Sequence, residues 1–95
     1  MKTTEEIRNA IVDQYGKEAI DNMYMFENPA FIGAIVGFDP HHHKIVYDYE
    51  KMVDCLMEED EMSEEEAVDF IDYNTLRTVP YMKNAPIIAM PIVEF

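Results

Sequence analysis

Apolar residues recur at helical spacing four times along this chain, and twice they bunch into short runs. Ile7, Ala10, Ile11 and Tyr15 fall at i, i+3, i+4 and i+8, one stripe of a first helix. Thr3 or Thr4 opens it, with Glu5 and Glu6 in the first turn, where acids complement the dipole and Thr accepts from an orphan amide. Gly16 is placed to end it. Ala19, Ile20, Met23 and Phe26 keep the spacing and predict a second helix over 17–27. It stops before Asn28-Pro29, because a residue preceding proline avoids the α region. Met23 to Phe26 also reads as a strand, and helix is preferred.

The run 31–38, Phe-Ile-Gly-Ala-Ile-Val-Gly-Phe, is short, apolar and flanked by proline, which predicts a buried strand. Gly33 and Gly37 point to a bulge or a close neighbour. Residues 44–47, Lys-Ile-Val-Tyr, predict a second strand. The intervening Asp39-Pro40-His41-His42-His43 has hairpin length, so the two strands pair antiparallel.

Asp48 caps a third helix in which Tyr49, Met52, Val53, Leu56 and Met57 make the cleanest stripe in the chain. Glu50, Asp54, Glu58 and Glu59 face elsewhere. Ser63 followed by Glu66 is a capping box for a fourth helix, with Ala67, Phe70, Ile71 and Asn74 on one side and Glu65, Asp69 and Asp72 on another. It ends near Arg77, ahead of Pro80. Pro80, Pro86 and Pro91 exclude regular helix from the tail. Residues 87–90 suit a short edge strand, and the tail is too apolar to hang free.

The fold expected is α+β in a single domain, 1–95: two N-terminal helices, an antiparallel hairpin, two acidic amphipathic helices and a tail that adds a third strand. Hydrophobic residues make up 48% of the chain, enough for a core, though a domain of this size buries a modest share of its surface. The formal net charge is -13. Solubility of a small domain asks for a magnitude of only about 2 to 8. Such a charge excludes direct binding to nucleic-acid phosphates, which need Lys and Arg, and to anionic membranes. It favours a basic protein partner. The polar N-terminus has no apolar signal segment, no stretch reaches the length of a membrane span, and Cys55 has no disulfide partner. A cytoplasmic protein is expected.

The ordinary chemistries fit poorly. His41, His42 and His43 are adjacent in a turn, where three rings rarely converge on one ion; they read as a solvated loop that becomes partly positive near pH 6. The acidic run 58–66 lacks the glycine and the alternation of a calcium loop. Cys55 lies among Asp54, Glu58 and Glu59, which disfavour a thiolate, so it reads as a packing residue. No phosphate loop or nucleophile elbow is present. No cofactor, metal or catalytic residue is assigned. The segment Asp72-Tyr73-Asn74-Thr75-Leu76-Arg77 reads first as a hydrogen-bonded helix end that ties down the tail, and second as a polar contact point.

Three stretches carry a resemblance: Ile45-Val46-Tyr47-Asp48-Tyr49-Glu50-Lys51-Met52, Met57-Glu58-Glu59-Asp60-Glu61-Met62-Ser63-Glu64-Glu65-Glu66-Ala67, and Ile71-Asp72-Tyr73-Asn74-Thr75-Leu76-Arg77. Over roughly the last two-thirds of its length the chain resembles a family of small acidic proteins of bacteria, phages and prophages. The resemblance implies no chemistry and transfers no catalytic residue. Its phage association implies counter-defence, as in anti-CRISPR and anti-restriction proteins that occupy the nucleic-acid groove of a host nuclease.

The expected function is therefore a non-catalytic inhibitor that binds a basic, nucleic-acid-handling partner. Asp54, Glu58, Glu59, Glu61, Glu65, Asp69 and Asp72 would imitate phosphates. One alternative is a structural module that forms a homo-oligomer through its apolar tail and Met-rich faces. Another is a metal-dependent enzyme built on His41, His42 and His43.

Overall fold

A computed structural model describes residues 3–92. The fold is α+β, a three-stranded sheet with helices packed around it. Helix α1 runs Thr4–Tyr15. Its N-cap is Thr3, whose hydroxyl accepts from Glu6 N–H while the Glu6 carboxylate reaches back to Thr3 N–H, so two orphan donors are satisfied reciprocally. Gly16 ends it with φ 93 and ψ 163, a region open essentially to glycine.

The expected second helix shrinks to a single 3₁₀ turn, Lys17–Ile20. Beyond Ile20 the chain leaves the helix although its apolar spacing continues. The reason is tertiary. Phe26 N–H donates to the hydroxyl of Tyr47, 3.1 Å away, and the Phe26 ring packs on Phe31 and Tyr47, with centroids 6.1 and 4.7 Å apart. Ala19 and Met23 still reach the core.

The expected strand over 31–38 is also corrected. Its first half is a 3₁₀ turn, Pro29–Ala34. The Asn28 side chain accepts from Ala30 N–H at 3.0 Å and Pro29 occupies the first turn, a local start signal for helical winding. Strand β1 is Ile35–Asp39 and strand β2 is Lys44–Asp48. They pair antiparallel, with the register slipping between Ile35 and Gly37; Val36 is the extra residue of this bulge. Gly33 serves a close approach instead: a Cβ built there would lie 3.2 Å from Cys55 Sγ.

Helices α2, Tyr49–Glu59, and α3, Glu64–Ile71, follow as the sequence predicts. The helical path continues through a π turn, Asp72–Leu76, and a 3₁₀ turn, Val79–Tyr81, follows. Strand β3, Ile87–Ala89, pairs parallel with β2 on the side away from β1. Parallel pairing needs a long crossover, and α2 and α3 supply it. The core gathers Phe31, Ile45, Tyr47, Met52, Leu56 and Ile71, with α2 packed on the Pro29–Ala34 turn and on α3. Residues 93–95 of the tail lie outside the described residues. Among the described residues no helix is long and apolar enough to cross a membrane.

Candidate functional site: the acidic faces of the helical pair

Asp48 closes β2 and opens α2 in one residue. Its carboxylate accepts from Lys51 N–H at 3.0 Å, which launches the helix directly from the strand. Met52 and Leu56 are fully buried, and Val53 nearly so. Because the stripe turns inward, Glu50, Asp54, Glu58 and Glu59 are exposed. Met57, expected on the stripe, lies at its margin and is 37% exposed.

Asp54, Glu58 and Glu59 come together. With Asp60 they border a depression of about 430 Å³ whose other lining includes Lys51, Cys55 and the turn residues Pro29, Ala30 and Gly33. Their field is felt by the Cys55 thiol. Burial pushes its pKa up, and Glu58, Glu59 and Asp54 raise it further, since each disfavours a nearby thiolate.

The bend between the helices forms without glycine. Glu61 takes the left-handed conformation, φ 56, and Met62 N–H returns to the Leu56 carbonyl at 3.3 Å. Ser63 then caps α3. Its hydroxyl accepts from Glu66 N–H, and the Glu66 carboxylate accepts from Ser63 N–H, at 3.2 and 3.1 Å. These bonds hold the Glu66 carboxyl below its ordinary range. Ala67 and Ile71 are fully buried, which leaves Glu65, Asp69 and Asp72 exposed.

Asp69 borders a second, shallower depression of about 400 Å³ with Met62, Glu66, Phe70, Tyr73 and Asn74. Asp72 lies on the side of Tyr49, whose phenol is raised by burial and then by the Asp72 charge. All seven carboxylates named from the sequence are thus exposed, on α2, on α3 with the π turn, and at the joint. Three share one depression and Asp69 borders another. Sequence reasoning missed Asp60 and Glu66 as lining residues. Asp60 continues the α2 acidic run by one position, a signal that was available. Glu66 both closes the α3 cap and lines the depression.

Asn74, placed by spacing on the side of Ala67 and Ile71, is exposed, and Thr75 is buried there instead. The wider π turn shifts the face by one residue. The Thr75 carbonyl accepts from both the N–H and the hydroxyl of Thr78, at 3.1 and 2.8 Å, which closes the helix end locally. Arg77 lies 4.6 Å from the ring centroid of Tyr73, a cation–π contact. Among the described residues the ion-pair contact present is His42 with Asp39, at 2.7 Å; no Lys or Arg there makes an ion-pair contact with a carboxylate of the helical pair, although Lys51 borders the depression of Asp54, Glu58 and Glu59.

The histidine loop is built around Asp39. Its carboxylate accepts from His41 N–H at 2.9 Å and meets His42 Nδ1 at 2.7 Å; its pKa is lowered, chiefly by the His42 contact. His43 instead stacks on Phe38, with centroids 6.2 Å apart. The His42 and His43 rings therefore have separate engagements, and His41 is held through its backbone. Among the described residues no group of three or more His, Cys, Asp or Glu side chains is placed to hold a metal ion. No protein-family model, curated protein or solved structure matches this chain.

Proposed function

We propose that this chain is a non-catalytic inhibitor that binds a basic, nucleic-acid-handling protein through the acidic faces of α2 and α3. The carboxylates of Asp54, Glu58, Glu59, Glu61, Glu65, Asp69 and Asp72 stand in for phosphates. The observation that carries this reading is their shared exposure on two packed helices with no Lys or Arg partner among the described residues. Four carboxylates against Lys51 in the α2 depression leave a net negative field for a cationic partner, which speeds encounter and fixes register. The resemblance to small acidic phage proteins directs the choice of partner to a host defence nuclease of anti-CRISPR or anti-restriction type.

The test is capture of the partner from host lysate, followed by binding measured from about 50 to 500 mM salt. Affinity is expected to fall steeply with salt. It should also fall in two triple variants, Asp54→Asn/Glu58→Gln/Glu59→Gln on α2 and Glu65→Gln/Asp69→Asn/Asp72→Asn on α3. Binding indifferent to salt and to both variants rejects phosphate mimicry.

A second reading, a homo-oligomer joined through the tail, draws on Met90 and Ile92, which are 54% and 85% exposed. Sedimentation separates the two: the oligomer predicts a mass that Ile92→Asp reduces to one chain.

A further inference from the structure

The sheet has two edges, and they are treated differently. β3 is three residues long and follows Pro86 directly. Short length and proline are common ways of closing an edge to further strands. β1 is five residues long, Ile35–Asp39, with neither lysine nor proline in it, and beyond its bulge at Val36 the edge runs regularly over 37–39. Beside it runs a crevice of about 530 Å³ between the strand and α1. Ile7, Ile11 and Tyr15 form one wall; Ile35, Val36 and Phe38 belong to the other. Tyr15 is 44% and Val36 49% exposed. An open edge with its own row of backbone donors and acceptors, next to an apolar trough, is the geometry of strand addition.

Charge decides between occupants. Among the described residues no Asp, Glu, Lys or Arg lines the crevice, so the seated part of an occupant is uncharged. The two elements that wall the crevice, α1 and β1, carry Glu5, Glu6, Asp13 and Asp39 against Arg8, and the whole chain carries -13. A second copy brings the same charge and is repelled, whereas a segment with cationic flanks is drawn to the surrounding surface. We infer that the β1 edge accepts an extended peptide segment of a partner protein, with alternating apolar side chains at its centre and Lys or Arg at its flanks. Backbone hydrogen bonds to β1 hold it, and its inward side chains enter the trough against Tyr15 and Phe38. The trough shares only Gly33 with the depression beside α2, so failure here and failure of the carboxylate reading are separable by mutation.

The experiment is selection from a displayed library of short peptides with lysine fixed at both ends and randomised centres. Selection on the unaltered chain should enrich centres that alternate apolar residues. Enriched peptides should slow amide exchange in β1 and bind at least about tenfold more weakly to Val36→Lys, which places a charge on the bulge. Tyr15→Glu alters the opposite wall and serves as the second variant, with circular dichroism confirming that each folds. Replacing the lysine flanks by glutamate should abolish binding. The inference is overturned if no peptide is enriched, if enriched peptides ignore both variants, or if glutamate flanks bind equally well. It is also overturned if the free chain forms a dimer that Val36→Lys dissociates, since a second copy would then be the occupant.

Discussion

In α2 and α3 each helix start is closed by a side chain three residues from its acceptor or donor: Asp48 on Lys51 N–H, and Ser63 with Glu66 on each other. Between Gly16 and Ala34 the chain is held differently. Its longest-range anchor is the Phe26 amide on the Tyr47 hydroxyl, and Phe31, 2% exposed, sits inside a 3₁₀ turn. The two regions meet in one core, since α2 packs on the Pro29–Ala34 turn. One region organises itself locally and offers its outer face to solvent. The other takes its shape from what it lands on. Apolar burial thus requires no regular secondary structure, provided the released amides find partners.

The sharpest way to break this comparison is Phe31→Ala. If the irregular segment is an integral part of the core, the loss should be about 3 to 5 kcal/mol, measured by chemical denaturation. A loss below about 1 kcal/mol would mean that the turn only covers a core made by α2, α3 and the sheet.

A smaller effect is expected for Tyr47→Phe. The ring and its packing on Phe26 remain, while the Phe26 N–H loses its acceptor. An unsatisfied part-buried amide costs about 1 to 3 kcal/mol. Hydrogen exchange should show the Phe26 amide losing protection before those of α2. Unchanged protection would show that the segment holds its path without this bond.

The smallest effect belongs to the self-capped region. Ser63→Ala should cost about 1 kcal/mol, confined to α3. The cap also has a pH signature. The folded Glu66 carboxyl titrates below its ordinary 4.5, held by its bonds to Ser63. A lowered carboxyl pKa contributes stability that is present above the unfolded value and lost as pH falls through the folded one. The stability difference between the parent chain and Glu66→Gln, which removes the charge and keeps the shape, should therefore be largest above about pH 5 and shrink on acidification below 4.5. A difference that does not change over that range would remove the carboxylate from the cap.

The reach of sequence reasoning follows the same divide. Asp48 and Ser63 are identifiable as caps, and the first cap is narrowed to Thr3 or Thr4, because each acts on the residue three positions away. The stripe of Met52, Val53 and Leu56 specified the inward face of α2, and by exclusion the outward carboxylates. The hairpin followed from the loop between two apolar runs. Asn28-Pro29 held a usable signal as well: it starts the 3₁₀ turn that replaces the first half of the expected strand. Residues 21–27 held no such signal, because the apolar spacing of Met23 and Phe26 serves a helix and an extended path equally.

The chain by itself determined its α+β composition, its capped helices and the sign of its surface, since these depend on neighbours within one turn or on the sum of charges. Only the folded molecule decided the path over residues 21–27, the parallel placement of β3 beside β2, and the open trough along β1. Each depends on which distant groups arrive to accept an amide, complete a strand or leave an edge uncovered.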